Sequence, residues 1–308
     1  MSILARPAVA SLAAKAFQRL VSLSDRGTSR DSFPEFPRNT RELTIPTSVA
    51  PARVVVYLPA EYDGTPPVHV NFHGGGYVLA PTEVDDALCR YLAAEAGVVV
   101  INVDYVVAPQ HPFPEPPRQA FEVVRWVAEN GAGQGWDGAR LSVGGQSAGG
   151  GLAAAVARLA LDEGGPAIAL QVLHYPPLDL AIDARDKRAA IAKPVLRPWM
   201  ADIFDNAYVP DPQQRTDRLV SPANPADIAD LTGIAPAVVL TPEYDLLRVE
   251  GLRYADRLAN VGALVEHKDI AGADHGYDLK DLVNARESYA LIAQHVRQAT
   301  GAQASEET

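Results

Sequence analysis

The chain is short of the residues that build disulfide scaffolds and metal centres. Its 308 residues include one cysteine, Cys89, and seven histidines. A single cysteine cannot close an internal disulfide, which suits a reducing compartment and predicts a cytoplasmic protein. No Cys/His cluster has zinc-ligand spacing, so no metal is indicated. Positive charge is scarce as well: 27 Lys and Arg face 38 Asp and Glu, a net charge of −11. That balance argues against nucleic acid and against anionic membrane surfaces as partners. No apolar run approaches the ~20 residues that a bilayer-spanning helix needs, so stable membrane insertion is not expected. The first 23 residues are rich in Ala and Leu, but Arg6, Pro7, Lys15 and Arg19 interrupt any secretory core. Val9, Leu12, Ala13, Ala16, Phe17 and Leu20 recur at helical spacing instead. They predict an amphipathic helix that packs on something.

What is there is the composition of a large α/β protein, 47% hydrophobic, long enough for one core with an appended cap. Residues 43–49, 52–58, 68–72, 98–103, the run rising into Gly144, 168–173, 236–240 and 263–267 read as strands. Helices are expected from a Thr82 cap to residue 96, through Val123, Val124 and Val127, and over 148–161, 247–258 and 279–298. This alternation predicts a mostly parallel sheet covered by helices on both faces. Between Pro177 and Ser221 the rhythm breaks. Residues 184–191 and 199–206 read as short helices in an insertion too long for an ordinary connection. Trp199, Met200, Phe204 and Tyr208 need something to cover, and the N-terminal helix is the natural partner. The expected division is 1–40 as the N-terminal part of a cap, 41–180 and 221–300 as core, 181–220 as the cap insertion and 301–308 as a frayed tail.

Chemistry centres on Gly145-Gln146-Ser147-Ala148-Gly149, which joins a strand to an alanine-rich helix and fits Gly-x-Ser-x-Gly. Such a turn exposes a serine above a sheet. A serine hydroxyl needs a base, normally a histidine held by a carboxylate. After the insertion the chain offers His267, His275 and His295. His267 falls in a strand pattern and His295 in a helix; His275 lies in a loop just after a strand, where sites gather in parallel sheets. For the acid, Asp245 follows a strand, with Glu243 as the alternative; Asp245 could equally cap the next helix. Asp274 and Asp278 are too close in sequence to His275 to orient it easily. An anion site is supplied by His73-Gly74-Gly75-Gly76: the backbone N–H groups of Gly74, Gly75 and Ala148 can converge on one oxygen. The segment lacks a phosphate-loop pattern, and His73 reads as a structural hydrogen bonder.

These residues together resemble the hormone-sensitive-lipase-like (bacterial type IV) carboxylesterases of the α/β-hydrolase family. The matching pieces are His73 to Tyr77, Val103 to Pro114, Gly145 to Gly150, Tyr244 to Arg248 and Asp274 to Tyr277. The resemblance implies the α/β-hydrolase fold, an eight-stranded mostly parallel sheet with helices on both faces and a helical cap. It implies ester hydrolysis with Ser147, Asp245 and His275 as triad, and no cofactor. Membership favours small, short-acyl esters, over which Trp199, Phe204 and Tyr208 would close together with Tyr77 and Tyr105. The chain departs from the family in having Gln146 where Asp or Glu is usual, Val106 for Arg, Gln110 for Glu and Gly151 for Asn. One hypothesis is that the first three form a buried polar network neutralised together. An amidase, lactonase or carbamate hydrolase would use the same triad. A non-hydrolytic receptor or a dehydratase is the rival of another class, but the receptors lose the histidine that His275 supplies. Oligomeric state is open, a homodimer included.

Overall fold

The structure, a computed structural model, describes residues 3–23, 32–80 and 82–302. Residues 24–31, in the expected N-terminal part of the cap, and most of the expected tail lie outside these residues. The described residues form eight strands in one sheet. In chain order these are β1 (Thr40–Ile45), β2 (Ala52–Tyr57), β3 (Pro67–Phe72), β4 (Val99–Asp104), β5 (Asp137–Gln146), β6 (Leu170–His174), β7 (Ala237–Pro242) and β8 (Leu264–Ile270). The spatial order is β1-β2-β4-β3-β5-β6-β7-β8. β2 pairs antiparallel with β1 and β4, and every pairing from β4 to β8 is parallel. Strands β3, β6 and β7 are buried at every position. β7 accordingly reads as a continuous apolar run from Ala237 to Leu240, whereas β3 and β6 also bury polar His69, Asn71, Gln171 and His174. The expected strand at 43–49 ends at Ile45, because Pro46 has no N–H to continue a ladder.

The α-helices are α1 (Pro7–Leu23), α2 (Asp86–Glu95), α3 (Glu115–Gln134), α4 (Ala148–Glu163), α5 (Pro198–Tyr208), α6 (Arg248–Asn260) and α7 (Leu282–Thr300). None of the described helices is long and apolar enough to cross a membrane. Apolar side chains cluster on both faces of the sheet: Val70, Ile101, Val143 and Val239 on one, Val100, Val172, Val238 and Leu240 on the other.

Four local expectations are corrected. Residues 184–191 form no helix. Asp183 turns back to accept the Arg185 N–H, Lys187 is drawn onto buried Glu250, and Arg185 onto Asp202. These turn and tertiary bonds outcompete a helix of poor local support. Thr82 does not cap α2; a 3-10 turn, Thr82–Asp85, intervenes. The last helix starts at Leu282, where Asp281 accepts the N–H groups of Val283 and Asn284. On α1 the buried face is Ala10, Ala14 and half-buried Phe17, while Leu12 and Leu20 stand 71% and 65% exposed. Small residues let α1 sit close to α5, where Phe17 meets Trp199 and Phe204 edge-on or tilted, at 6.5 and 5.9 Å between ring centroids. The helix–insertion pairing expected from the sequence is thus formed, through a different stripe.

Candidate active site

β5 ends at Gln146 and α4 begins at Ala148, so Ser147 alone makes the turn. Its φ of +51° is rare for a residue with a side chain. The strain is held by packing. A Cβ on Gly145 would lie 2.4 Å from the Phe72 carbonyl oxygen, and one on Gly149 only 1.8 Å from it. The Ser147 N–H donates to the His174 carbonyl at 2.9 Å, which fixes the turn to β6.

His275 comes to this serine from the loop after β8. Its Nε2 lies 2.9 Å from Ser147 Oγ, and its Nδ1 lies 2.8 Å from Asp245 Oδ2. The other Asp245 oxygen accepts the Leu247 N–H at 3.0 Å. One carboxylate therefore both orients the imidazole and steadies the turn into α6, so the two roles weighed for Asp245 coexist. Glu243, the alternative acid, accepts the Gly272 N–H and supports the histidine loop from outside. Asp274 accepts the His275 and Val195 N–H groups, tying that loop to the insertion. His267 and His295 pair with Thr241 and Glu266, away from the serine.

Electrostatics separate His275 from the other buried histidines. Burial pushes His69 down to about 3, and His73 and His174 down to about 4, so all three stay neutral. Burial opposes protonation of His275 too, but Asp245, followed by Asp274 and Asp278, outweighs it, and its pKa is raised. An imidazole poised above its usual value beside a serine hydroxyl is placed to take a proton and hold it.

The triglycine turn follows β3. Gly75 and Gly76 have φ of +127° and +61°. A Cβ on Gly75 would lie 2.5 Å from the Leu79 carbonyl oxygen, so neither backbone nor space admits a side chain there. Among the described residues, the N–H groups of Gly75, Gly76 and Ala148 meet no acceptor. Gly74 differs from expectation. Its N–H faces the buried Asp85 carboxyl, which burial drives up to about 8 and which this amide pulls back. In the glycine turn the free N–H groups are thus those of Gly75 and Gly76 rather than Gly74 and Gly75.

The five aromatic residues assigned to the substrate pocket divide. Phe204 packs directly over the glycine turn: a Cβ on Gly76 would sit 2.6 Å from its ring. Trp199 stands on the rim, 45% exposed. Tyr105 is buried beneath the turn, stacked on the His73 ring at 4.2 Å and donating to the His73 carbonyl at 2.9 Å. Tyr77 and Tyr208 are buried and stack on each other at 3.9 Å. Gly151 makes room for this pair, since a Cβ there would lie 2.1 Å from the Tyr77 hydroxyl.

The single network expected for Gln146, Val106 and Gln110 is not formed. Gln110 is exposed and bonds Gln18, the Val106 N–H donates to Gln119, and Gln146 is buried on Asp278. Three separate environments need no joint neutralisation.

A family model described as the α/β hydrolase fold matches residues 69–279. Carboxylesterase NlhH of Mycobacterium tuberculosis is 36% identical over 250 residues, which cover 80% of this chain and 75% of that one. Among solved structures, an esterase of Pyrobaculum calidifontis superposes with a TM-score of 0.78 at 33% identity, over 94% of this chain and 92% of that one. EstE1, a thermostable carboxylesterase cloned from a metagenomic library, gives a TM-score of 0.79 at 31% identity, over 97% and 99%. Fold, elbow, glycine turn and these similarities agree, and the chain belongs to the hormone-sensitive-lipase-like carboxylic ester hydrolases of the α/β-hydrolase family.

Proposed function

We propose that the protein is a serine carboxylesterase for small, short-acyl esters, working through an acyl-enzyme. The observation that carries this is the continuous line from Ser147 Oγ to His275 Nε2, at 2.9 Å, and from His275 Nδ1 to Asp245, at 2.8 Å. With the Nδ1 proton on the Asp245 side, Nε2 accepts the serine proton as Oγ attacks the ester carbonyl. The carbonyl oxygen becomes an oxyanion, received by the N–H groups of Gly75, Gly76 and Ala148, the last at the positive end of α4. His275 returns the proton to the departing alkoxide, and the alcohol leaves. Water, deprotonated by the same nitrogen, then attacks the acyl-enzyme and frees the acid and Ser147.

A p-nitrophenyl ester series run beside matched anilides tests the reaction class. Esters turned over far faster than anilides, with the optimum at short acyl chains, is the expected result. Preference for anilides would move the protein to the amidases. The short-acyl preference rests on Phe204, whose ring closes over the glycine turn. Phe204→Ala is therefore expected to raise the octanoate-to-butyrate ratio of kcat/KM by roughly tenfold; an unchanged ratio would put the acyl chain elsewhere.

The pH profile follows from His275. The base works only when neutral, and its pKa is raised above the usual histidine value of about 6.5. Activity should therefore fall as pH drops, with the half-point of the acid limb in kcat/KM above that value. A limb centred well below it would contradict the charge arrangement around the imidazole.

A further inference from the structure

Asp278 takes no part in these proton transfers. It lies in a 3-10 turn, Tyr277–Leu279, three residues past His275, and is 4% exposed. Burying a carboxylate is costly unless donors replace its water. Here three donors do so, each from a different part of the sheet's edge or its covering helices. Tyr175, just after β6, donates to Oδ1 at 2.6 Å. Tyr289 of α7 donates to Oδ2 at 2.9 Å. The side-chain amide of Gln146, the last residue of β5, donates to Oδ2 as well.

Two of these donors adjoin the reacting groups. Gln146 immediately precedes Ser147. Tyr175 sits at a φ of +41° and sets its ring edge-on to the His275 imidazole, at 4.9 Å and 64°. We infer that Asp278 is a positioning residue for ester hydrolysis: it fastens the turn that follows His275 to the residue before the nucleophile and to the ring on which the imidazole rests. The inference depends on Ser147 and His275 being nucleophile and base. Gln146 then has a specific task, because its amide can donate to Asp278, whereas a carboxylate at that position would repel it.

Facing His275 are Asp245 from the loop after β7, Asp274 in its own loop, Asp278, and from β6 and its end His174 and Tyr175. Near Asp278 stand Tyr175, Tyr277 and Tyr289, whose phenols burial drives upward, together with Asp281 and Asp85. Each of the three carboxylates facing His275 favours the imidazolium, so removing one lowers the affinity of His275 for its proton.

The test is the pH profile of Asp278→Asn, which keeps the shape and one acceptor oxygen and removes the charge. The acid limb of kcat/KM is expected to move down by roughly 0.5–1 pH unit. At the plateau, kcat should fall roughly tenfold or more with KM little changed. The split between kcat and KM decides: a lowered kcat at constant KM supports the inference, and wild-type kcat overturns it whatever the limb does. If this variant fails to fold, Gln146→Met keeps the charge and cuts the tether. A reduced kcat at constant KM supports the inference there, and wild-type kcat overturns it. Labelling of the wild-type enzyme by a fluorophosphonate separates the two ways of failing. Without label on Ser147 the nucleophile assignment is wrong; with label but wild-type kcat in the variant, only the role of Asp278 falls.

Discussion

Ser147→Ala is expected to lower kcat for ester hydrolysis by about 10⁴-fold or more and to leave folding intact. The size follows from what the hydroxyl does. Without Oγ there is no nucleophile for His275 to activate, and the residual rate is what the free amides and bound water supply. Stability should change by less than ~1 kcal/mol. Alanine keeps the Cβ that already fits the turn, and the lost hydroxyl makes one hydrogen bond, to His275, in a half-buried position. Single-turnover kinetics with a p-nitrophenyl ester, alongside thermal unfolding, check both halves. Substantial activity in a folded, contaminant-free variant would remove Ser147 from the mechanism.

Gly149→Ala is expected to be the most damaging single methyl group in the chain's active centre. Its Cβ would lie 1.8 Å from the Phe72 carbonyl oxygen, 2.5 Å from the Phe72 carbonyl carbon and 2.8 Å from the His73 oxygen. All three are backbone atoms at the end of β3, so no rotamer change relieves the clash. Either α4 or the start of the glycine turn must shift, and each carries N–H groups proposed to receive the oxyanion. The expected cost is about 4 kcal/mol or more, with activity lost even in the folded fraction. Gly133→Ala is the control. It lies in α3 with nothing within 4 Å of its Cβ, and there alanine should stabilise by up to ~1 kcal/mol. Denaturant unfolding of the two variants checks the contrast; equal midpoints would mean that the elbow is not packed as described.

Much of the site was legible because the chemistry follows strand ends. Ser147, Asp245 and His275 each sit just past a strand in the sequence, and a parallel sheet brings such positions to one edge. The glycine turn was legible for the same reason, but not its register. Which amide faces outward depends on Asp85, fourteen residues after Asn71, its hydrogen-bond partner in β3. The helix expected at 184–191 failed because local composition says nothing of Glu250 waiting in α6 for Lys187. The apolar stripe on α1 is displaced from the one that helical spacing picks out: Ala10 and Ala14 are fully buried, whereas Leu12 and Leu20 face outward. Gln146 could be marked as unusual within its motif. Its reason could not be read, since Asp278 is 132 positions away along the chain.

The proposed mechanism requires that an acyl group be carried on Ser147. Rapid acid quench of the enzyme during the burst with a p-nitrophenyl ester, followed by peptide mass spectrometry, tests it most directly. The prediction is an acyl mass increment on the peptide that contains Gly145 to Gly149, localised to Ser147 and absent in Ser147→Ala. A burst with no adduct there, or an adduct on another residue, would contradict it.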